Sequence, residues 1–408
     1  MAYKKIYGDR KNINSNYGRE AAISSGVIDN APRRPDMTAR DPYLLTPGPA
    51  TTAPETKAAM LRDWGSWDGE FKAITARVRA RLLTVAEADE SYTCVPMQGS
   101  GTFAVEAALG TLVPRDGKTL VLANGAYGKR AAETLARIGR DFELYTTAED
   151  TPPDPAEVDR ILAADPAIGH VLLVHCETTS GILNPLEPIA RLVSARGRSL
   201  ILDAMSTFGA LPIPTAALGI AAVIASANKC LEGVPGLGFV IARKADLRAA
   251  AGNAHSLSLD LADQWTYMER SGQWRFTPPT HVMAALDTAL DLHAAEGGTP
   301  ARGERYAANH RAVVDGLRTL GIEPLIPDRL QSPIIVTFRC PDDPAFAFQP
   351  FYDRLKAEGF IIYPGKMTAA ETFRIGCIGT LTPTVMGEVV AAVARVLDGL
   401  GVARRNAA

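Results

Sequence analysis

The chain has 408 residues, enough for one large core and a smaller second unit. Apolar residues make up 47% and charged residues 22%, as in an ordinary globular protein, and a net charge of −2 gives no reason to expect a nucleic-acid partner. Five scattered cysteines without Cys-x-x-Cys spacing argue against a disulfide framework or a cysteine-rich zinc site, and no apolar run resembles a membrane span or a secretory signal, so a cytoplasmic protein with no membrane partner is expected.

Residues 1–42 read as a polar N-terminal arm, either a flexible extension or a segment packed on a neighbouring subunit. Order is expected from Tyr43-Leu44-Leu45, which runs into the turn Thr46-Pro47-Gly48-Pro49. Beyond it, short apolar runs alternate with helical stretches such as 128–139 and 188–195. The runs are Tyr92–Met97, Thr119–Leu122, His170–Val174, Leu200–Leu202, Ala222–Ile224 and Gly238–Ile241. That alternation predicts an α/β fold with βαβ units and a mostly parallel sheet, within a large unit over 43–298. A helix over 278–295 ends in Glu296-Gly297-Gly298-Thr299-Pro300, a turn that marks a boundary. A smaller α/β unit over 299–402 follows, with strands at Pro333–Phe338, Phe360–Tyr363 and Thr372–Ile375. Its final helix places Val389, Val393, Val396 and Leu400 on one face, and 403–408 reads as a frayed tail.

Two charged residues stand at the ends of apolar runs. Asp203 ends Leu200-Ile201-Leu202-Asp203, and Lys229 ends Ala222–Lys229. Burying either charge is costly without a partner. A pyridoxal phosphate supplies both partners, an aldehyde for the lysine and a pyridine nitrogen for the aspartate. Gln98-Gly99-Ser100-Gly101-Thr102 lies between a strand and a helix, where glycines and a helix N-terminus suit a phosphate. A purely structural turn fits equally, and a dinucleotide fingerprint fits loosely. His175–Gly181 follows a strand end and either faces a ligand crevice or bonds to itself. Tyr127, between Gly125 and Gly128, either stacks on a flat ring or packs a corner. Arg374, inside an apolar strand, either grips a substrate anion or pairs with an internal acid. The stiff segment Trp274–His281 suits a lip over a site or a subunit contact. The six histidines share no spacing, so no metal site is assigned.

These segments together resemble the class V aminotransferases, pyridoxal-phosphate enzymes of fold type I. The likeness runs over residues 43–400 and includes Leu44–Pro49, Gln98–Thr102, Asn124–Gly128, His175–Gly181, Leu202–Ser206, Ser226–Gly236, His255–Asp260, Trp274–His281 and Tyr363–Lys366. The blocks Ser226-Ala227-Asn228-Lys229-Cys230 and Trp274–His281 narrow it to the branch that moves the amino group of 2-aminoethylphosphonate to pyruvate. Members that use serine or alanine with glyoxylate or pyruvate are the alternative. The resemblance implies a seven-stranded sheet and a homodimer. It implies that Lys229 is the Schiff-base lysine and Asp203 the pyridinium partner, with Tyr127 and Met205 on the two ring faces. Ser100, Gly101, Thr102 and Ser226 would hold the phosphate, together with Thr277 from the second subunit. Thr179 would lie close to the ring, and Arg374 would bind the substrate anion. The arm is not part of the family pattern.

Overall fold

The computed structural model describes residues 41–365 and 370–403; the expectations for the arm and for the tail from residue 404 fall outside them. A central sheet of seven strands organises the chain: β1 (Tyr92–Gln98), β2 (Lys118–Ala123), β3 (Asp141–Thr146), β4 (Ile168–Val174), β5 (Ser199–Asp203), β6 (Ala222–Ser226) and β7 (Leu237–Arg243). Their order across the sheet is β1-β7-β6-β5-β4-β2-β3. All neighbours are parallel except β7, which runs against both β1 and β6.

The near-continuous apolar strands follow from burial on both faces. Side chains alternate between faces, so each strand feeds two cores. Leu120, Leu122, Val171, Leu173, Leu200, Leu202, Val223 and Phe239 enter one core, against helices Gly69–Val85 and Leu186–Ala195. Val121, Leu172, Ile201, Ile224 and Val240 enter the other, against Gly101–Leu112 and Ala126–Arg137. Edge strand β3 reads Asp141-Phe142-Glu143-Leu144-Tyr145-Thr146, partly exposed, and lacks the apolar run that marks the other strands.

The helix Thr280–Glu296 stops at Gly297, whose φ of +111° is a left-handed cap, and Gly298–Arg318 starts at once. A second sheet follows, formed by β8 (Ile335–Arg339), β9 (Tyr363–Pro364) and β10 (Thr372–Gly376), antiparallel with β10 in the middle. The run expected as one strand over 360–363 is divided. Phe360–Ile361 pairs in parallel with Tyr43–Leu44, while Tyr363–Pro364 pairs with β10. A separate core contains Val336, Phe338, Phe373 and Ile375, covered by the helix Pro383–Leu400 through Val389, Val393 and Val396; Leu45 from the start of the chain also enters it. Among the described residues, no helix is long and apolar enough to cross a membrane.

Candidate active site

Asp203 closes β5 and Lys229 follows the end of neighbouring β6, so both stand at the C-terminal edge of the parallel strands. Ligand crevices of open α/β sheets lie at this edge. Asp203 is buried, and its carboxylate accepts the Met205 N–H at 3.0 Å. Burial raises its pKa to about 6, against the opposing pull of the Met205 amide, Lys229 and Arg130. Lys229 Nζ donates to the Pro47 carbonyl at 2.7 Å. Burial holds this ammonium below the usual lysine range, with Arg374 acting in the same sense and Asp203 against it. Gly48 is required here on two counts. Its φ is +122°, and a Cβ would fall on Cδ and Nζ of Lys229.

Gly101, Thr102, Tyr127, Asp203 and Met205 line one cavity, joined by Val105, Arg130, Ala131 and Thr134. A Cβ at Gly101 would collide with the Met205 thioether, so glycine leaves that side chain its place. Ser100 is the N-cap of helix Gly101–Leu112, with extended backbone and a side chain that makes no capping bond. Ser226 is buried at the end of β6, and its hydroxyl has no partner among the described residues. Thr277 is exposed on the segment before helix Thr280–Glu296 and does not line this cavity within one chain. In the same segment Trp274 is buried, its Nε1 donating to Thr75 Oγ1 at 3.2 Å, and His281 reaches Asp63 at 3.1 Å.

A buried carboxylate that the sequence left without a definite role joins two site turns. Glu177 accepts the Tyr127 N–H at 3.0 Å, the Thr179 N–H at 3.3 Å and the Thr179 hydroxyl. It is fully buried, and burial raises its pKa against these donors. Gly125 makes room for it, since a Cβ there would strike the Glu177 side chain. Beside it, Asn124 and Asn184 exchange amide bonds at 2.8 and 3.2 Å. The next residue reaches the second sheet: the Thr178 carbonyl accepts Arg374 Nη1 at 2.9 Å.

Arg374, on β10, is 1% exposed. Its other bond is Nε to the Pro364 carbonyl at 3.0 Å, and its guanidinium lies 5.7 Å from the Tyr363 ring centre. The internal carboxylate partner that would make it purely structural is absent among the described residues. Burial lowers its pKa, with Tyr127, Tyr363 and Glu177 acting in the opposite sense. A buried guanidinium bonded only to carbonyls is poised for an anion.

Other features do not compete for the chemistry. A cavity of about 470 Å³ opens at the opposite end of the strands, beside His170 and Ser199, and contains none of the groups above. Cys176, Cys230 and Cys377 are buried; burial pushes the Cys176 thiol up to about 12 and the other two higher still, so none is a ready nucleophile. His175 is buried, bonded to Thr207 Oγ1 at 2.9 Å and held neutral by burial, its pKa lowered to about 4.

The pattern describing the family "Aminotransferase class-V" matches residues 54–346. The chain belongs to the class-V aminotransferase family. A curated relative from Pseudomonas fluorescens, 2-aminoethylphosphonate–pyruvate transaminase, is 57% identical over 90% of this chain and 99% of its own. One from Burkholderia lata, carrying that name with the number 2, is 56% identical over 90% and 98%. Among solved structures, pyridoxamine–pyruvate aminotransferase from Mesorhizobium loti superposes with a TM-score of 0.82 at 26% identity, covering 90% of this chain and 94% of its own. Alanine–glyoxylate aminotransferase from Nostoc sp. gives 0.83 at 23% identity, covering 92% and 100%.

The fold is therefore the fold-type I architecture of pyridoxal-phosphate aminotransferases, and the cofactor of this class-V enzyme is pyridoxal phosphate. The donor set suits that group. The orphan Ser226 hydroxyl and the helix N-terminus that Ser100 leaves without a side-chain cap are donors of the kind a phosphate needs. The raised Asp203 carboxyl suits a protonated pyridine nitrogen, and the lowered Lys229 ammonium suits bonding to an aldehyde.

Proposed function

We propose that this enzyme transfers the amino group of 2-aminoethylphosphonate to pyruvate, giving phosphonoacetaldehyde and L-alanine. Family membership and the relatives named above support the reaction. The buried Arg374 guanidinium, bonded among the described residues only to carbonyls, carries the assignment of an anionic substrate, and the relatives carry the choice of an aminophosphonate.

Bound pyridoxal phosphate supplies an aldehyde carbon for the amino group and a protonated ring that takes up the electron pair freed at the nitrogen-bearing carbon. The chain's residues supply the rest. Lys229 would hold the cofactor and, once released by the substrate amine, would take the proton from that carbon and deliver it to the former aldehyde carbon on the other side of the nitrogen. Its lowered pKa allows it to be neutral when it must act as base. Asp203 keeps the proton on the pyridine nitrogen, its ionised form stabilised by the positive charge opposite it. Tyr127 and Met205 would pack against the ring; Ser100, Gly101, Thr102 and Ser226 would take the phosphate, and Thr179 would sit close to the ring. Arg374 binds the phosphonate in one half-reaction and the pyruvate carboxylate in the other, which suits a ping-pong cycle.

We read the working unit as a homodimer in which Thr277 of the second copy completes the phosphate site. Exposed Thr277, with exposed Phe103 and Leu257 on the same polypeptide, supports this reading. We also read residues 43–298 as the unit that carries Lys229 and 299–402 as the unit that carries Arg374. The core around Val336, Phe338 and Phe373, distinct from the two that flank the central sheet, supports that division, with Tyr43–Leu45 crossing to it. A cytoplasmic location fits the small polar substrates. The test is steady-state alanine formation. The enzyme is expected to use 2-aminoethylphosphonate with pyruvate far better than serine or alanine with glyoxylate; the reverse preference would replace the phosphonate by a carboxylate donor.

A further inference from the structure

Glu232 is one of two non-glycine residues with positive φ among the described residues, at +58°. Such a conformation costs roughly 1–3 kcal/mol and persists only where the surroundings impose it. Gly233 follows directly and takes an ordinary φ, so the strained place is occupied by a side chain rather than by the glycine beside it. Glu232 belongs to the turn that begins at Lys229, its N–H donating to the Lys229 carbonyl at 2.9 Å. Its side chain is buried, and its Oε1 accepts the Tyr306 hydroxyl at 2.7 Å and Arg305 Nη2 at 2.8 Å.

The donors lead away from the turn to the other half of the site. Arg305 Nη1 donates to the Gly379 and Leu381 carbonyls at 2.6 and 3.0 Å, and the Gly379 N–H donates to the Tyr306 hydroxyl at 3.2 Å. The Gly379–Leu381 loop follows β10, the strand that carries Arg374. Arg302 adds a parallel connection, donating to the Cys230 carbonyl at 2.6 Å and pairing with Glu296 at 2.6 Å. Glu296 also holds Arg305, at 2.7 Å, so both arginines are fixed from behind.

We infer that Glu232 is a positioning residue. Through Arg305 and Tyr306 its carboxylate fixes the Lys229 turn to the loop behind β10, and so sets the separation between the lysine and the anion-binding Arg374. The strained conformation is the one from which the carboxylate reaches Arg305 and Tyr306. An ion network that merely stabilised the fold would not need to start inside the lysine's own turn.

The inference rests on the reading of Lys229 as the cofactor lysine, and the test separates the two. The holoenzyme is compared with Glu232→Gly, which relieves the backbone and removes the tether, and with Tyr306→Phe, which removes one hydroxyl of the link. Two quantities are read on folded protein: the pH at which the absorbance of lysine-bound cofactor changes, without substrate, and kcat against KM for pyruvate. In Glu232→Gly the absorbance pH is expected to move and kcat to fall by roughly 10²-fold, the cost of a displacement near 1 Å, with KM nearly unchanged. Tyr306→Phe should change both in the same direction by less. A Glu232→Gly enzyme with wild-type kcat and wild-type absorbance pH overturns the inference. If that variant does not fold, unchanged values in Tyr306→Phe overturn it equally. Absence of lysine-bound absorbance in the wild type would overturn the reading of Lys229, and this inference with it.

Discussion

Asp203→Asn in the cofactor-free protein separates what the site does from what the fold prefers. The folded carboxyl is raised by burial from the ordinary 3.8 to about 6. Below pH 3.8 it is protonated in folded and unfolded chains alike, and its contribution to stability is fully present. As pH rises through 6 the unfolded chain has already ionised while the folded chain resists, so that contribution is lost. Each pH unit between the two values is worth about 1.4 kcal/mol, which makes the loss about 3 kcal/mol above pH 7. Asparagine keeps an oxygen for the Met205 N–H and carries no charge. Urea unfolding of the two proteins at fixed concentration is the assay. The variant should match wild type near pH 3.5 and exceed it by about 3 kcal/mol above pH 7, roughly 1 M in midpoint for m near 3 kcal/mol/M. Its transaminase activity should collapse, because the pyridine nitrogen loses the carboxylate that keeps it protonated. A variant no more stable at pH 8 than wild type, or stabilised equally at pH 3.5 and 8, refutes the reasoning.

The remaining expectations concern the walls of the site. Arg374→Ala should lower kcat/KM by roughly 10²-fold or more for both the aminophosphonate and pyruvate, given the 2–5 kcal/mol cost of truncating a buried charge contact; a loss confined to one half-reaction would break the shared-anion scheme. Gly48→Ala should leave Lys229 without its place against the Pro47 carbonyl, and the fraction of borohydride-trapped lysine–cofactor adduct should fall together with kcat. Glu177→Ala strands the Tyr127 and Thr179 donors and should destabilise the protein by about 1–3 kcal/mol for each donor left buried without a partner; the unfolding midpoint checks this, and Glu177→Gln should recover a large part of the loss.

Much of the architecture was legible because parallel strands buried on both faces are written as apolar runs, and Leu200–Leu202 or Ala222–Ile224 cannot be mistaken for an exposed loop. Edge strand β3 was not, since its faces are only partly covered, unlike those of β1 at the other edge, and Asp141, Glu143 and Thr146 break the run. The division of Phe360–Tyr363 between two sheets was hidden for another reason: a four-residue run carries no sign of which partner each half will find. At the site, Lys229, Asp203 and Arg374 were visible as charges in apolar surroundings. The structure brings Tyr127, Gly101 and Thr102, which follow strand ends, to the Asp203 cavity, together with Met205, which only the family resemblance singled out. The supporting acids were harder. Glu177 and Glu232 stand beside ordinary turn residues, and their partners, Tyr127, Arg305 and Tyr306, come from distant segments that only the fold assembles. For Glu232 a usable signal existed: a bulky acid immediately before a glycine that could have taken the left-handed position itself.

The most direct test of the central claim is a single half-reaction. Purified holoenzyme is mixed with 2-aminoethylphosphonate in the absence of pyruvate, while the absorbance of the bound cofactor and the released aldehyde are followed together. The account predicts a complete spectral change with one equivalent of phosphonoacetaldehyde per site, reversed by pyruvate with formation of one equivalent of alanine. No change with the aminophosphonate, followed by a full change with L-serine, would contradict it and assign this site to a carboxylate donor.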